Sequence, residues 1–298
     1  MNLPAGQWGA HSNVQTSSGP RVTEVTRIVG VPIYEIDNGP DKPRLISYEA
    51  GLAVDADGAP NAYHPENKNA LDDLKSAARR DKDRNPLMDP KDPSKYLLNP
   101  DIVAFNPVTG KPHIQGKDDP CPGYYVSMTS CQNKDFPKTD PRRYLDATQI
   151  PYVVINPALK NLGVEVGDLA MLSRGDRRVF VVVGDVGPKD KLGEGSIKAV
   201  DRLGGNPNAI RGGIPSGVRQ DFFKGRKVSA PAGTPLTANH IAIEGSKLAS
   251  QLGYERGFAN LPRTPGPPPP AVKPATAAKP PAPKPGIGKD LEPLDGPP

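Results

Sequence analysis

Two carboxylates, Asp185 and Glu194, lie nine residues apart in the stretch GDVGPKDKLGEGS, which directly follows the apolar run VFVVV. Two carboxyl groups that face each other across a cleft are what a glycosidase uses, because one protonates the leaving oxygen while the other activates water or attacks the sugar carbon. Burial beside a strand raises the pKa of a carboxyl group, whereas nearby cations such as Lys189 and Lys191 lower it. An acidic loop beside lysines is also typical of a solvated surface, so these residues alone leave both interpretations open.

Strands and a short helix must position this pair. The runs PGYYVSMTS, IPYVVINP and RRVFVVVGDV are rich in β-branched or aromatic residues and are separated by Pro, Gly and Asp clusters, which predicts three strands. Several are apolar throughout, as expected of strands that are covered on both faces in a small closed barrel. GSIKAVDRLGG predicts a short helix that ends at Gly204 and Gly205, and NHIAIEGSKLASQLGY predicts a last amphipathic helix.

The segment before these strands contains turn and helix signals. RLISYEAGLAVDADGAPNAYHP has two apolar stretches on either side of Asp57-Gly58, which predicts a β-hairpin. Its D-A-D-G fragment resembles the start of a calcium loop but lacks the remaining oxygen ligands, so we interpret it as a turn. NALDDLKSAARR predicts a short helix over residues 69–80 with Asn69 as its N-cap.

Composition divides the chain into three parts. Residues 1–30 are rich in small polar residues at their start and are expected to form a loose extension, and residues 31–262 to form one predominantly β domain. Residues 263–298 are a proline, lysine and alanine mixture with few bulky apolar side chains, which predicts a disordered, extended tail.

Charge and motif patterns exclude several classes of function. The net charge of +5 and the pI near 9.0 come from basic and acidic residues that are intermixed along the chain, so we expect no nucleic-acid interface. No secretory signal and no long apolar run is evident, so we expect neither a Sec substrate nor a membrane span. The four histidines, His11, His64, His113 and His240, show no paired ligand spacing, and no phosphate loop or dinucleotide motif occurs, so we expect no metal and no cofactor.

The two cysteines, Cys121 and Cys131, flank the segment PGYYVSMTS. A disulfide between them would close a short loop, and it would require an oxidising compartment. Two reduced thiols are the alternative, and the sequence leaves both open.

The stretch GDVGPKDKLGEGSIKA resembles the central motif of glycoside hydrolase family 75, the endo-chitosanases first known from fungi, whose catalytic acids are an Asp and a Glu with this spacing. Further segments resemble other parts of that family in the same order. They are AYHPENKNALDDL, DPCPGYYVSMTS, YLDATQIPYVVI, GVEVGDLAML and GGIPSGV. Together with the last helix, the resemblance covers about residues 45–254.

The resemblance implies a mainly β catalytic domain that resembles a double-psi barrel, with a few short helices, and endo-hydrolysis of the β-1,4 linkages of chitosan with inversion. Inversion requires the two carboxyl groups to lie roughly 6.5 to 9.5 Å apart, which leaves room for a water on the far side of the sugar. We assign Asp185 as general acid and Glu194 as base, with the reverse assignment left open. The matching segments contain further residues that would hold sugar hydroxyls or support the acids. These are Tyr125, Thr129, Asp146, Gln149 and Tyr152.

Two alternatives differ from a chitosanase. Chitosan is a polycation, so the basic chain favours an anionic glycan such as peptidoglycan, which a double-psi barrel cleaves with a lone Asp. The protein would then be a wall-degrading toxin with an immunity protein, and Asp185 would carry most of the chemistry. In either case we expect a monomer that is made in the cytoplasm and acts outside it. The other alternative is a glycan-binding module without activity, against which the presence of both acids argues.

Overall fold

The structure is a computed structural model, and it describes residues 20–230 and 234–252. The strands are β1 (Arg21–Ile28), β2 (Val31–Asp37), β3 (Leu45–Asp55), β4 (Met88–Asp89), β5 (Asp92–Tyr96), β6 (Tyr152–Ile155), β7 (Asp168–Arg174), β8 (Arg177–Val186), β9 (Glu194–Ser196) and β10 (Ile214–Lys227). The α-helices are α1 (Ile197–Arg202) and α2 (Ala238–Leu252), and 3₁₀ helices cover Leu74–Ala77, Pro141–Arg143 and Pro157–Leu162. Within the described ranges, no helix has the length and apolar character that crossing a membrane requires.

Six strands form a closed barrel, which confirms the prediction of a mainly β domain with a small barrel and few short helices. Their order around the barrel is β3, β10, β7, β8, β6 and β9, and β9 pairs with β3 to close it. The pairs β3–β9 and β6–β8 are parallel, whereas the other four neighbouring pairs are antiparallel. Outside the barrel, β1 and β2 extend the sheet beyond β3, and β4 and β5 form a small separate sheet.

The connectivity of the barrel has an internal two-fold symmetry. Exchanging its first three strands in sequence, β3, β6 and β7, with its last three, β8, β9 and β10, reproduces every neighbouring pair. The exchange also converts one parallel pair into the other. Strands β3 and β8 therefore occupy equivalent places, and each carries an aspartate at its carboxyl end, Asp55 and Asp185.

Both faces of the barrel strands are buried. On β6, Val153 and Ile155 belong to one apolar cluster, whereas Tyr152 and Val154 belong to a second. Strands β7 and β8 alternate between the same two clusters. Because side chains of a strand point to opposite faces in turn, a strand that packs on both sides must be apolar throughout, as the sequence indicated.

The predicted hairpin around Asp57-Gly58 is wrong, although a turn is present there. Strand β3 ends at Asp55, and its partners are β2, β10 and β9 rather than the segment that follows it. In the turn, the carboxylate of Asp55 accepts a hydrogen bond from the amide of Asp57 at 2.9 Å, and Gly58 has a φ of 79°. The apolar residues after the turn, such as Ala62, are buried in irregular structure, so they stabilise the core without forming a strand.

Two further local predictions are wrong. Only Leu74–Ala77 of the predicted helix over residues 69–80 is helical, and Asp73, not Asn69, caps it. Asn69 has a φ of 53°, which an N-cap residue does not adopt. The run PGYYVSMTS forms isolated bridges, Val103 with Ser127 and Ile114 with Tyr125, instead of a strand, because its partners are themselves irregular segments.

The predicted extension over residues 1–30 is too long, because β1 pairs along its length with β2. Residues 21–28, which the prediction assigned to the extension, therefore belong to the sheet. Residues 1–19, the predicted boundary at 262 and the predicted disordered tail over 263–298 lie outside the described residues.

Phe222 on β10 provides a test of the core. Its side chain is fully buried and stacks on Tyr48 with the ring centroids 5.7 Å apart. We expect Phe222→Ala to lower the free energy of unfolding by about 3 to 5 kcal/mol, because it removes buried area and leaves a cavity. Chemical denaturation would measure this. Val108→Ala, at a side chain that is 91% exposed, is the control and should change stability by less than about 0.5 kcal/mol. Equal effects of the two variants would contradict the assigned core.

Candidate functional site

Asp185 lies at the carboxyl end of β8, and its position is fixed by donors to one oxygen. Its Oδ1 accepts hydrogen bonds from the Ser130 hydroxyl at 2.5 Å, the Ser130 amide at 3.1 Å and the Val186 amide at 2.7 Å. The residue is partly buried. Burial raises its pKa to about 6, against the opposing effect of the Ser130 and Val186 hydrogen bonds, and the charge of Glu194 adds to the increase. A carboxyl group with this pKa can exist in both protonation states near neutral pH, as a proton donor requires.

Glu194 opens β9 and lies on the opposite side of the connecting loop. Its Oε1 is 2.7 Å from the Nζ of Lys191, and its side chain is only 16% exposed. The other oxygen faces Gly187, where an added Cβ would lie 3.4 Å from Oε2. The loop thus brings Glu194 back toward the end of β8, as predicted, and Lys191 supplies the cation that the sequence suggested. Lys189 is exposed.

Two acids that the sequence interpretation missed lie beside Asp185. Asp55 ends β3, and Asp57 lies in the turn that follows. Asp55, Asp57 and Asp185 each place one carboxylate oxygen within 4.8 Å of the others. The two-fold connectivity explains this approach, because Asp55 and Asp185 end equivalent strands and the barrel directs both ends to the same region.

The donors around Asp55 and Asp57 are aromatic and aliphatic hydroxyls. Tyr63 donates to Oδ1 of Asp57 at 2.8 Å, and the Ser127 hydroxyl donates to the same oxygen at 3.2 Å. The hydroxyl oxygen of Tyr152 lies 3.0 Å from Oδ2 of Asp55 and 2.8 Å from the carbonyl oxygen of Asp57. A phenol has one proton and cannot donate fully to both. Both contacts are satisfied when Asp55 is protonated on Oδ2 and donates to Tyr152, which in turn donates to the carbonyl.

The pKa shifts of these two partly buried acids agree with this geometry. Burial raises the pKa of Asp55 well above its ordinary value, and the charges of Glu194 and Asp185 raise it further. Burial also raises the pKa of Asp57, followed by the charges of Asp55 and Asp185. Three carboxylates this close repel one another, so the group retains protons that isolated carboxyl groups would release.

Close carboxylates can also share a cation instead of protons. Within the described ranges, Asp55, Asp57 and Asp185 are the one group of His, Cys, Asp or Glu side chains whose ligand atoms come this near. Hydroxyl and amide hydrogens are directed at several of their oxygens, and these donors offset part of the negative charge.

Some of the residues expected to contact sugar are buried beneath the site, whereas others are accessible to a ligand. Tyr152 and Thr129 are buried, and Thr129 donates its hydroxyl to the carbonyl of Cys131 at 2.9 Å, so both support the site instead of lining it. Asp146 accepts from the amide and hydroxyl of Thr148, which closes a local turn. Tyr125 is partly buried and Gln149 is exposed, so both remain candidates for contact with a ligand.

The cysteines are free thiols. Burial raises the pKa of Cys131 to about 11, with a further contribution from the charge of Asp185, and burial also raises that of Cys121. His64 accepts from the amide of Glu66 at 3.1 Å and meets the Tyr124 ring edge to face, with the centroids 4.9 Å apart. The contacts of His64 are thus with neighbouring residues of the same segment and with one aromatic ring.

Asp55 and Asp57 were visible in the sequence but were interpreted as turn residues. Asp-Gly is a strong turn signal, and the turn exists, so the signal was correct but incomplete. What would have revealed a further role is the position of Asp55 at the end of the strand-like run LISYEAGLAV, similar to that of Asp185, which one glycine separates from VFVVV.

Tyr152→Phe tests the hydrogen bonds beneath the site. The variant keeps the ring but leaves the Asp57 carbonyl and the Asp55 carboxyl without their partner, so we expect a loss of about 1 to 3 kcal/mol in the free energy of unfolding. Tyr124→Phe is the matched control, because that hydroxyl donates to the carbonyl of Asn69 in an exposed setting. Thermal and denaturant unfolding of both variants would measure the difference, and an equal, small effect would contradict the hydrogen bonds assigned to Tyr152.

The site therefore combines a strand-end acid, an ion-paired second acid and two further carboxyl groups held by hydroxyls. No protein-family model matches the chain, and no curated protein matches it either. The chemistry of the site has to be inferred from its own residues.

Proposed function

We propose that the protein is a glycoside hydrolase that cleaves β-1,4 linkages of an amino-sugar polymer, with chitosan as its substrate, by an inverting mechanism similar to that of glycoside hydrolase family 75. The observation that carries this proposal is Asp185, a partly exposed carboxyl group at a strand end whose pKa is raised to about 6. A general acid must be protonated when the substrate binds and must still release its proton to the leaving oxygen.

The environment of Glu194 supports the complementary role. Its Oε1 pairs with the ammonium group of Lys191 at 2.7 Å, and Oε2 is the oxygen left to accept a proton from water, as a general base must. Asp185 and Glu194 thus have different partners, hydroxyl and amide donors for Asp185 and an ammonium group for Glu194, and an acid and a base in one site need such different environments. Asp55 and Asp57, both partly buried, each place a carboxylate oxygen within 4.8 Å of one of Asp185.

We also propose that the barrel is a double-psi barrel. The support is its six strands, its two parallel pairs and the two-fold connectivity that exchanges β3, β6 and β7 with β8, β9 and β10. This is the fold that the resemblance to the chitosanases implies.

A second candidate is a peptidoglycan hydrolase that uses Asp185 alone as acid and then base. The specific observation in its favour is that Lys191 already occupies Oε1 of Glu194, which would leave Glu194 a supporting role. The neighbouring Asp55 and Asp57 would then be the groups that adjust the protonation of Asp185.

Product analysis separates the candidates. The purified protein would be incubated with chitosan and with peptidoglycan sacculi, and soluble fragments identified by mass spectrometry. We expect glucosamine oligomers with ordinary reducing ends from chitosan, and a loss of roughly 10²- to 10⁴-fold in kcat for both Asp185→Asn and Glu194→Gln. Asp176→Asn, at an exposed turn between β7 and β8, is the control and should retain activity.

Other outcomes would decide against the chitosanase. Muropeptides from sacculi alone, with Glu194→Gln still active, would support the lone-Asp mechanism. Binding to a polymer without any fragments, unchanged in Asp185→Asn, would identify a glycan-binding module instead.

The pKa of Asp185 predicts the pH dependence of activity. As the acid, Asp185 acts only when protonated, so kcat should fall as the pH rises through about 6. Ser130→Ala removes a donor that stabilises the charged form of Asp185. The fall in kcat, which forms the alkaline limb of the pH profile, should therefore occur at higher pH. Ser94→Ala is the matched control, because its hydroxyl also donates to a carboxylate, Asp92, but on an exposed strand. A limb that stays in place or moves to lower pH in Ser130→Ala would contradict the assignment of Asp185 as acid.

A further inference from the structure

The loop between the two acids is held from beneath by one buried side chain, Asn156. This residue directly follows β6 and is 2% exposed. Its amide nitrogen donates to the carbonyl oxygens of Lys189 at 2.9 Å and Lys191 at 2.8 Å, and it lies 3.5 Å from that of Pro188. Its amide oxygen accepts from the backbone amide of Ala158 at 3.0 Å and so caps the 3₁₀ helix Pro157–Leu162.

Backbone hydrogen bonds fix the two ends of the same loop. The amide of Gly187 donates to the carbonyl of Ile155 at 2.9 Å, and the amide of Ala53 donates to the carbonyl of Gly193 at 2.9 Å. Gly193 has a φ of 82°, and a Cβ there would lie 2.2 Å from the carbonyl oxygen of Gly51, so this end fits closely against β3. The Asn156 amide holds the part of the loop between these two anchors.

Lys191 links Asn156 to the second acid, Glu194. Its carbonyl accepts from Asn156, and its ammonium group donates to Glu194. The Lys191 side chain is 50% exposed. An exposed lysine pairs weakly with a carboxylate, because holding its long side chain in one geometry is entropically unfavourable. A fixed backbone at Lys191 reduces the conformational entropy that is lost when the ion pair forms.

We propose that Asn156 is a positioning residue, which holds the loop carbonyls so that Lys191 stays paired with Glu194 and the second acid keeps its place relative to Asp185. The proposal depends on the proposed function for its catalytic consequence, but not for its effect on the loop. Asn156 itself touches neither acid.

Asn156→Asp isolates this role. An aspartate is a good N-cap and retains the bond from Ala158, but it has no hydrogen to donate and repels the loop carbonyls. We expect amide hydrogen exchange in residues 187–193 to rise at least about tenfold, and kcat to fall by about tenfold or more, because small displacements of reacting groups have large effects on rate. KM should change little, since the variant does not alter the sugar-contacting surface.

Two further variants control for folding and for charge. Asn156→Ser also caps the helix but is too short to reach the loop, so it should reproduce the effect without the added charge, even if Asn156→Asp fails to fold. Asn208→Asp makes the same change at an exposed asparagine that caps a turn through the amides of Ile210 and Arg211. It should leave both exchange and kcat unchanged.

A double-mutant cycle tests whether Asn156 acts through Lys191. Lys191→Met removes the ion pair, and if Asn156 works by placing Lys191, the double variant should lose no more kcat than the worse single variant. Additive losses would overturn the proposal.

Hydrogen exchange separates this proposal from the proposed function. If the wild-type protein cleaves neither polymer, the proposed function fails, but faster exchange of residues 187–193 in Asn156→Asp still supports Asn156 as the residue that holds the loop. Unchanged exchange in both Asn156 variants overturns the proposal whatever the activity. Faster exchange with an unchanged kcat in an active enzyme also overturns it.

Discussion

The parallel pairing of β3 with β9 closes the barrel, and the site exists because of it. Their register pairs Asp55 with Ser196 and Ala53 with Glu194, so it brings Glu194 beside the end of β3, two positions before Asp55. The equivalent pair, β6 with β8, does the same for Asp185. Acids from three separate parts of the chain meet because two symmetric pairings direct them to one region.

The repulsion between these carboxylates opposes folding, and hydrogen bonds from the surrounding hydroxyls offset part of it. A carboxylate that is removed from water and lies near other negative charges is destabilised. Hydrogen-bond donors are needed to compensate this effect. Tyr63, Ser127 and Ser130 direct hydroxyl donors at the carboxylates, and Tyr152 links Asp55 to the Asp57 carbonyl. Gly184 allows the Tyr152 ring to approach, since a Cβ there would lie 2.6 Å from Cβ and Cγ of the tyrosine. The same few contacts thus stabilise this region and fix the positions of its carboxyl groups.

The sequence predicted the barrel and its strand-end acid because both depend on local pattern. The all-apolar run before Asp185 indicates a strand covered on two faces, and Ser196 with the spacing of Ile197, Val200 and Leu203 indicates α1. Helix α2 follows equally from its periodicity. Strand pairing between distant segments is not local, so neither the place of β3 next to β9 nor the approach of Asp55 to Asp185 could be read from spacing.

The local failures have the same physical origin. The stretch after Asp57 has the composition of a strand but finds no partner edge, because β2, β10 and β9 already occupy the edges of β3. Residues 69–80 have helical composition, yet Asn67 accepts from the Leu74 amide and Asn69 adopts a positive φ, which confines the helix to one turn. Tertiary contacts override propensity where a segment is short.

The place of β10 has a consequence for how the protein forms. This last barrel strand lies between β3 and β7, and its register pairs Phe223 with Leu45. The barrel cannot close until almost the whole domain has left the ribosome, and contacts between such distant residues make folding slow. Until then the apolar edges of β3 and β7 remain open to other chains. The nascent protein is therefore most vulnerable to aggregation late in its synthesis.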